Sequence, residues 1–340
     1  MIQCKRMTQQ YDFVAIGDIT NDAFIELSKK DARVIKDEKT GRKKLEMNFG
    51  DKLPYQDVTI VNAVGNAPNA SVAAHRLGLR SALVASLGND RNGKDALNAL
   101  RTECVDTDFI KVYEGKKTNY HYVLRYGAER TILIKHERYP YILPDFHVPP
   151  RFLYFSSIGE DSEQFHHDIA QYVTTHPETK LVFQPGTFQI RLGKDALKDL
   201  YSATYIFFCN KEEAQMILST EETSFPALLK GIRALGPIIP VITDGPNGAY
   251  ALDGDTTWYM PMYPDPSEPV DRTGAGDSFS STFTSALILG NDIKTALAWG
   301  PINSMSVVQY IGAQKGLLTR AQIEEYLKNA PSEYVPKMMS

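Results

Sequence analysis

The sequence has few cysteines, no excess of positive charge and no long apolar run. Cys4, Cys104 and Cys209 lie far apart, without the C-x-x-C spacing of a zinc site or redox pair, so we expect reduced packing residues. The 37 Lys and Arg against 41 Asp and Glu leave a net charge of −4, which gives no general attraction for nucleic acid or anionic lipid. The chain also lacks the apolar segment of a signal peptide or membrane span, so we expect a cytoplasmic protein with neither nucleic-acid nor membrane partners.

The 340 residues have the composition of a globular protein, with 43% hydrophobic and 23% charged residues. Short apolar runs predict strands at 12–17, 82–87, 152–156, 181–184, 205–209 and 239–243. Helical patterns alternate with them at 69–77, 94–102, 163–174, 211–218 and 225–235. This alternation predicts an α/β fold in which a mostly parallel central sheet is covered by helices on both faces. Because no linker-like tract divides the chain, we predict a single domain over residues 1–340.

Two regions break this rhythm. Residues 29–57 are polar and rich in Lys and Asp, and residues 118–136 alternate apolar with polar side chains. Alternation is typical of strands with one buried face and one wet face, which do not belong inside a doubly covered sheet. We therefore predict a small projecting β-sheet lid formed by segments at approximately 23–62 and 110–136; the alternative is two long surface hairpins without a role in binding.

The sharpest motif is VDRTGAGDSF at 270–279, which runs into a helical pattern of small residues. A glycine-rich turn that opens a helix directs free N–H groups and the positive end of the helix dipole at one point, where an anion can bind. Asp277 in the first turn is a candidate proton acceptor, and a base beside an anion hole is a phosphoryl-transfer arrangement. The alternative is that Asp277 only caps a helix. A dinucleotide fingerprint would need a glycine at Phe279, which weakens an oxidoreductase interpretation.

Two further glycine turns precede helical patterns. GNDRNGKD at 88–95 has the spacing of a phosphate-binding P-loop, but Asp95 replaces the required Ser or Thr, so we do not interpret it as one. In GNAPNASVAA at 65–74, Asn66 and Asn69 carry the donors and acceptors that a polyol needs, although Asn69 could instead cap the helix. Asp18 and Asp22 follow the first strand, at the edge where open α/β sheets bind ligands.

These motifs together resemble the ribokinase/PfkB family of carbohydrate and nucleoside kinases. The likeness runs through GDITNDAF, GNAPNASVAAHRLG, SLGNDRNG, DRTGAGDSF and YIGAQ, over nearly the whole chain. The resemblance implies a ribokinase-like fold and makes Asp277 the catalytic base. It also implies that the amides of Gly274, Ala275 and Gly276 form the anion hole for the transferred phosphoryl group. The residues it assigns to the sugar are Asp22, Gly65, Asn66 and Asn69.

The resemblance further implies a nucleotide side and metal ligands. The expected nucleotide neighbours are Asn210, Thr243, Gly245 and Asn303. Glu213 completes an N-x-x-E element with Asn210 and is expected to act on Mg²⁺ through water, whereas Asp271 and the Thr273 carbonyl are expected to hold a monovalent cation.

The chain departs from the family pattern at three positions. Val64 stands where relatives have the first of two glycines, which predicts a wider or more apolar turn. Gln184 stands at the position of a frequent Asp and removes one charge near the phosphates, and Arg272 replaces a common Thr.

We therefore expect an ATP-dependent kinase that phosphorylates a hydroxymethyl or similar hydroxyl of a small sugar or nucleoside. The expected cofactors are ATP and Mg²⁺, with K⁺ as a further candidate, and two chains could form a homodimer through the lid. The alternatives are a sensor that binds sugar or nucleotide without turnover and, less favoured, a dehydrogenase. The sequence leaves the identity of the acceptor open.

Overall fold

The computed structural model describes residues 9–127 and 129–339, so Cys4 lies outside the described residues. The strands are β1 (Phe13–Ile16), β2 (Thr20–Leu27), β3 (Ala32–Lys36), β4 (Lys43–Met47), β5 (Tyr55–Val64), β6 (Ser81–Gly88), β7 (Ile110–Tyr113), β8 (Asn119–Tyr126), β9 (Glu129–Leu133), β10 (Phe152–Phe155), β11 (Lys180–Phe183), β12 (Thr204–Asn210), β13 (Ile239–Thr243), β14 (Ala249–Asp253), β15 (Thr256–Met260) and β16 (Lys337–Met339). The helices are α1 (Asn66–Arg76), α2 (Arg91–Thr102), α3 (Glu163–Thr175), α4 (Thr187–Leu192), α5 (Lys198–Ala203), α6 (Lys211–Leu218), α7 (Phe225–Ala234), α8 (Ala275–Ile288), α9 (Ile293–Val307) and α10 (Arg320–Lys328), with a 3₁₀ turn at Gly245–Asn247.

A ten-stranded sheet organises the protein, in the order β16-β15-β14-β13-β12-β11-β10-β1-β6-β7. The strands from β13 to β7 are parallel, and β14, β15 and β16 extend the sheet in antiparallel pairing. Phe13 and Ala15 belong to a core cluster with α1, α8 and α9, whereas Val14 and Ile16 belong to a second cluster with α3, α6 and α7. Since successive strand residues point to opposite faces, the two clusters lie on the two faces of the sheet, and the predicted α/β fold is confirmed.

All six predicted apolar runs are parallel strands of this sheet. The antiparallel extension was not predicted, because TTWYM in β15 has polar residues where a central strand would be apolar and β16 is only three residues long. The glycine turn at 88–95 is a helix start, in which Asp90 Oδ1 accepts a 2.9 Å hydrogen bond from Gly93 N–H. In the described part of the chain, no helix is both long and apolar enough to cross a membrane.

A second sheet, hereafter the lid, contains β5, β2, β8 and β9 in that order, and β3 and β4 form a separate hairpin. The central pair β2/β8 is parallel, while β5 and β9 join it antiparallel. The predicted lid segments overlap these strands, but the boundary at residue 110 is corrected: β7 is the edge strand of the central sheet. β7 is only four residues long and half exposed, so its sequence does not indicate that it pairs with β6.

Buried asparagines fix the lid where it joins the main body. Asn21 Oδ1 accepts a 2.9 Å hydrogen bond from Ala63 N–H, and its Nδ2 donates to Asn92 O. Asn119 Nδ2 donates to Ile19 O. Because buried polar groups are costly without partners, these bonds orient the first residues of β2 and β8 and the last residues of β5 above the carboxyl ends of the central strands.

Candidate active site

The N-terminus of α8 builds the predicted anion hole from the DRTGAGD turn. Gly274 precedes the helix with φ 80°, and Ser278 N–H donates to Gly274 O at 2.8 Å. The N–H groups of Ala275, Gly276 and Asp277 precede this first hydrogen bond of the helix. The helix therefore contains no carbonyl acceptor for them. Free amides and the helix dipole at one point are suited to a phosphoryl group.

The two glycines of the turn differ in how much space surrounds them. A Cβ at Gly274 would lie 2.2 Å from Ala313 Cβ, so Gly274 needs both its left-handed backbone and its lack of a side chain. A Cβ at Gly276 would meet only Gln184 Nε2, at 4.0 Å. Gly274 is therefore required for the turn to form, whereas Gly276 leaves open space in front of the amides.

Asp277 is held by both asparagines of the 65–74 motif. Asn66 Nδ2 donates to Asp277 Oδ1 at 2.7 Å and Asn69 Nδ2 donates to Oδ2 at 2.8 Å. Burial raises the pKa of the Asp277 carboxyl above its usual value, and the amide hydrogen bonds oppose that rise. The structure thus brings the predicted base and two predicted sugar ligands into direct contact.

Gln184 is a third partner of this carboxylate. The sequence marks Gln184 as a departure from the family pattern but does not predict this contact. Its Nε2 donates to Asp277 Oδ1 at 3.4 Å, and its Oε1 accepts from Ser280 Oγ at 2.9 Å and from the Tyr154 hydroxyl. A carboxylate at this position would put a second negative charge beside Asp277. Gln184 directly follows β11 in the sequence. Only the folded structure shows that its side chain contacts α8.

Gln314 of the YIGAQ motif supports the asparagines from behind. Its Nε2 donates to Asn69 Oδ1 at 3.0 Å and to Ala63 O at 2.8 Å. This fixes the orientation of the Asn69 amide, which leaves Nδ2 for Asp277. The resemblance pointed to YIGAQ without assigning Gln314 a role.

The remaining predicted sugar residues lie around the same turn. Gly65 has φ 121°, and a Cβ there would lie 2.7 Å from Asp18 O, so the sugar-side turn approaches the end of β1 closely. Val64 is buried and pairs with Thr20 as the last residue of β5, so it extends the lid strand and puts an apolar side chain just before Gly65. Asp22 lies on β2 opposite His121, with Oδ1 3.3 Å from His121 Nδ1.

Asp271 anchors the glycine turn to the YIGAQ loop. Its Oδ1 accepts hydrogen bonds from Thr273 N–H at 3.0 Å and Thr273 Oγ1 at 2.7 Å, and its Oδ2 accepts from Gly312 N–H at 3.0 Å. These three hydrogen bonds hold the turn against the YIGAQ loop. Ligation of a monovalent cation by Asp271 and the Thr273 carbonyl stays a prediction.

A cavity of about 530 Å³ lies on the other side of the helix amides. Its lining includes Thr243, Gly245, Pro246, Tyr263, Arg272, Ala275, Gly276 and Ser304. Two predicted nucleotide neighbours, Thr243 and Gly245, thus share one cavity with the anion hole. Arg272 also reaches it, and its charge opposes the rise that burial causes in the pKa of Asp265.

Asn210 and Glu213 form a capping box at the start of α6. Asn210 Oδ1 accepts from Glu213 N–H and Glu213 Oε2 accepts from Asn210 N–H, both at 2.8 Å. The N-x-x-E spacing is therefore also a helix start, and Glu213 Oε1 lies outside the capping box. Burial raises the pKa of the Glu213 carboxyl.

Asn303, also predicted to lie beside the nucleotide, is not among the residues that line this cavity. Asn303 is fully buried in α9, where Nδ2 donates to Thr282 Oγ1 at 2.7 Å and Oδ1 accepts from Leu318 N–H at 2.9 Å. Its neighbour Ser304 lines the cavity instead. The register of a helix that is buried almost all round cannot be read from the sequence, because apolar residues lie on every face.

Comparisons with known proteins identify the family to which the chain is similar. The pfkB family carbohydrate kinase profile matches residues 44–320. The chain is 31% identical over 288 residues to the ribokinase of Bacillus subtilis (strain 168), and the match covers 82% of this chain and 94% of the relative. A nucleoside kinase of Methanothermobacter thermautotrophicus is 23% identical over 256 residues, with 74% of this chain and 80% of the relative covered.

Solved structures show the same fold. The structure of Arabidopsis thaliana ribokinase complexed with ribose and ATP matches with a TM-score of 0.76 at 18% sequence identity, covering 94% of this chain and 99% of that chain. At this identity the likeness establishes the ribokinase-like architecture, including the mostly parallel sheet and the lid.

The steric difference between the two glycines predicts different defects on substitution. Gly274→Ala should lower the free energy of unfolding by about 1–3 kcal/mol, because it combines backbone strain with a clash against Ala313. Gly276→Ala should leave stability nearly unchanged and should impair activity instead, since its methyl group occupies the space before the amides. Thermal unfolding and turnover of both variants test this, and equal loss of stability in the two would contradict the described turn.

Proposed function

The chain belongs to the pfkB family of carbohydrate kinases, which are phosphotransferases, and we propose that it transfers the γ-phosphoryl group of ATP to a hydroxyl of a small sugar or nucleoside. We expect a hydroxymethyl or similar hydroxyl as the acceptor. One observation carries the proposal: both carboxylate oxygens of Asp277, in the first turn of α8, accept hydrogen bonds from the side chains of Asn66 and Asn69. The proton acceptor, the anion hole and the sugar side are thus adjoining parts of one site.

In the proposed reaction, Asp277 accepts the proton of the acceptor hydroxyl. The hydroxyl oxygen forms a bond to the γ-phosphorus while the bond from that phosphorus to ADP breaks, and ADP leaves. A buried carboxylate with a raised pKa is a stronger base than an exposed one. The amides of Gly274, Ala275 and Gly276 stabilise the negative charge of the group in transit.

We place ATP in the cavity beside Thr243 and Gly245, with its terminal phosphate at the helix amides. Bound Mg²⁺ would neutralise phosphate charge, as it does in phosphoryl transfer generally. Glu213 could hold the ion through water, because Oε1 lies outside its capping box. K⁺ at Asp271 and the Thr273 carbonyl remains a further proposal.

We propose that the sugar binds before ATP, beneath the lid, and that the lid then excludes water. The lid already contacts the catalytic turn: Arg125 Nη2 on β8 donates to Val270 O at 3.0 Å, and Arg125 Nη1 pairs with Glu26 on β2 at 3.1 Å. Val61 of β5 also touches Gly312 of the YIGAQ loop. Through these contacts, movement of the lid would act directly on the turn that forms the proposed anion hole.

We also propose a homodimer formed through the outer face of the lid. Ile60, Ala23, Tyr122 and Leu133 are register partners across all four strands, and Ile60 and Leu133 are 58% and 52% exposed. The stripe is apolar, with Ala23 buried within it, and it ends at β5 and β9, whose outer edges are unpaired in the described chain. A second lid offers the same stripe, and pairing would cover both.

Replacement of the base tests the catalytic proposal. Asp277→Asn should lower kcat by about 10²- to 10⁴-fold, the usual worth of general-base catalysis, with little change in ligand affinity. The assay measures ADP release with ATP, Mg²⁺ and a panel of sugars and nucleosides, with and without K⁺, and calorimetry measures binding.

Two results would contradict this assignment. One is activity of Asp277→Asn within a few-fold of the unchanged protein. The other is an unchanged protein that binds acceptor and ATP but releases no ADP, which would indicate a sensor on the same fold.

The dimer proposal predicts that Ile60→Lys yields monomers in analytical ultracentrifugation, because burying a charge in the stripe is costly. Ile238→Lys is the matched control, since Ile238 is 54% exposed on a loop before β13. Sedimentation of the unchanged protein as a monomer at micromolar concentration would contradict the proposal.

A further inference from the structure

Two histidines lie beside Asp18 and Asp22, and neither was predicted to belong to the site. His121 Nδ1 lies 3.3 Å from Asp22 Oδ1, and His136 Nδ1 lies 3.3 Å from Asp18 Oδ2. The two imidazole rings are 5.2 Å apart between centroids. In the order Asp22, His121, His136 and Asp18, they form one continuous group, with an acid at each end, that joins the lid to the end of β1.

This group faces the catalytic turn. On the lid, Val61, Asp22 and His121 occupy one row of register partners, so their side chains share one face of the sheet. Val61 in that row touches Gly312, which donates to Asp271 of the DRTGAGD turn. The row that carries Asp22 and His121 is therefore the inner row, opposite to the exposed stripe that contains Ile60.

The other end of the group contacts α4, which follows Gln184 in the chain. The His136 ring lies 6.4 Å from the Phe188 ring in an edge-to-face arrangement. Phe188 is the second residue of α4, four positions after Gln184, which donates to Asp277. The group of acids and imidazoles therefore borders α4, the helix that follows Gln184 in the chain.

Two atoms in this group are buried without a hydrogen bond. Asp22 Oδ1 and His121 Nε2 are inaccessible to solvent and have no hydrogen-bond partner in the described part of the chain. Asp22 Oδ1 lies 3.3 Å from the other ring nitrogen, His121 Nδ1, but does not form a hydrogen bond with it. Since buried polar atoms in folded proteins nearly always find partners, an acceptor atom and a potential donor here call for a ligand that supplies both.

The charges around these atoms restrict that ligand. The carboxylates of Asp18, Asp22 and Asp277 contact amides, the Tyr141 hydroxyl and the two imidazoles. In the described chain, no Lys or Arg forms an ion pair with any of the three. A phosphate or carboxylate on the acceptor would therefore meet like charges without a resident cation to offset them.

We propose that Asp22 and His121 together select an uncharged, hydroxyl-bearing acceptor. Asp22 Oδ1 accepts a hydrogen bond from one hydroxyl of the acceptor, and His121 Nε2 bonds a second polar atom of the same molecule. This inference rests on the proposed kinase function and adds to it a substrate class, neutral sugars or nucleosides, and a specificity-determining residue, His121.

The test compares neutral and anionic acceptors and two replacements of His121. The neutral acceptors are D-ribose, D-fructose and adenosine, and the anionic ones are D-fructose 6-phosphate and 2-keto-3-deoxy-D-gluconate. His121→Phe removes the polar ring atoms and should raise the KM for the best neutral acceptor about 10- to 100-fold, with the KM for ATP unchanged. His121→Gln restores a donor near the position of Nε2 and should recover most of that loss. His167→Gln is the matched control, because His167 also pairs with an aspartate, Asp199 at 2.7 Å, but lies on the surface of α3.

The unchanged protein should prefer a neutral acceptor by at least about 100-fold in kcat/KM. Preference for either anionic acceptor would overturn this inference while leaving the kinase function intact. Neutral acceptors that bind in calorimetry with the expected dependence on His121, but release no ADP, would support the inference and contradict the proposed function. Failure of all three neutral acceptors to bind at millimolar concentration, or equal acceptor KM in His121→Phe and the unchanged protein, would overturn it.

Discussion

The set of amide hydrogen bonds on the Asp277 carboxylate is the interaction on which the rest of the site depends. Asn66 and Asn69 come from the start of α1 and Gln184 from the end of β11, and all three donate to this one group. The carboxylate can stay ionised in a buried place only because these donors replace water. Elements far apart in sequence are thereby held in the arrangement that places base, anion hole and acceptor side together.

The backbone of the DRTGAGD turn is the second constraint, and it is steric. Ala313 leaves no room for a side chain at Gly274, and Asp271 ties the turn to Gly312. The YIGAQ loop therefore acts twice: Ala313 shapes the turn, and Gln314 orients Asn69. Val61 and Arg125 of the lid lie against this same pair of loops, so the lid borders the turn of the proposed anion hole.

Local sequence signals predicted the parts of the fold whose cause is local. Buried parallel strands are continuous apolar runs and the α8 start is a glycine turn, so both were evident from the sequence. The orientation of Asn303 could not be predicted, because α9 is apolar on every face. Gln184 and His121 could not be assigned to the site because their partners, Asp277 and Asp22, lie more than fifty positions away in the sequence. The N-x-x-E element is a case in which one local pattern fits two roles. Its spacing suits both a metal site and a capping box, and the structure shows the capping box.

The most direct test of this account is the pH dependence of kcat in the unchanged protein and in Gln184→Glu. Because the base must be deprotonated, activity falls as the pH drops through the pKa of Asp277. Gln184→Glu replaces a donor by a negative charge beside that carboxylate, so the account predicts an acidic limb displaced to higher pH by at least about one unit, with activity recovered above it. Coincident acidic limbs in the two proteins would contradict the claim that Asp277, held by its amide donors, is the group that takes the proton.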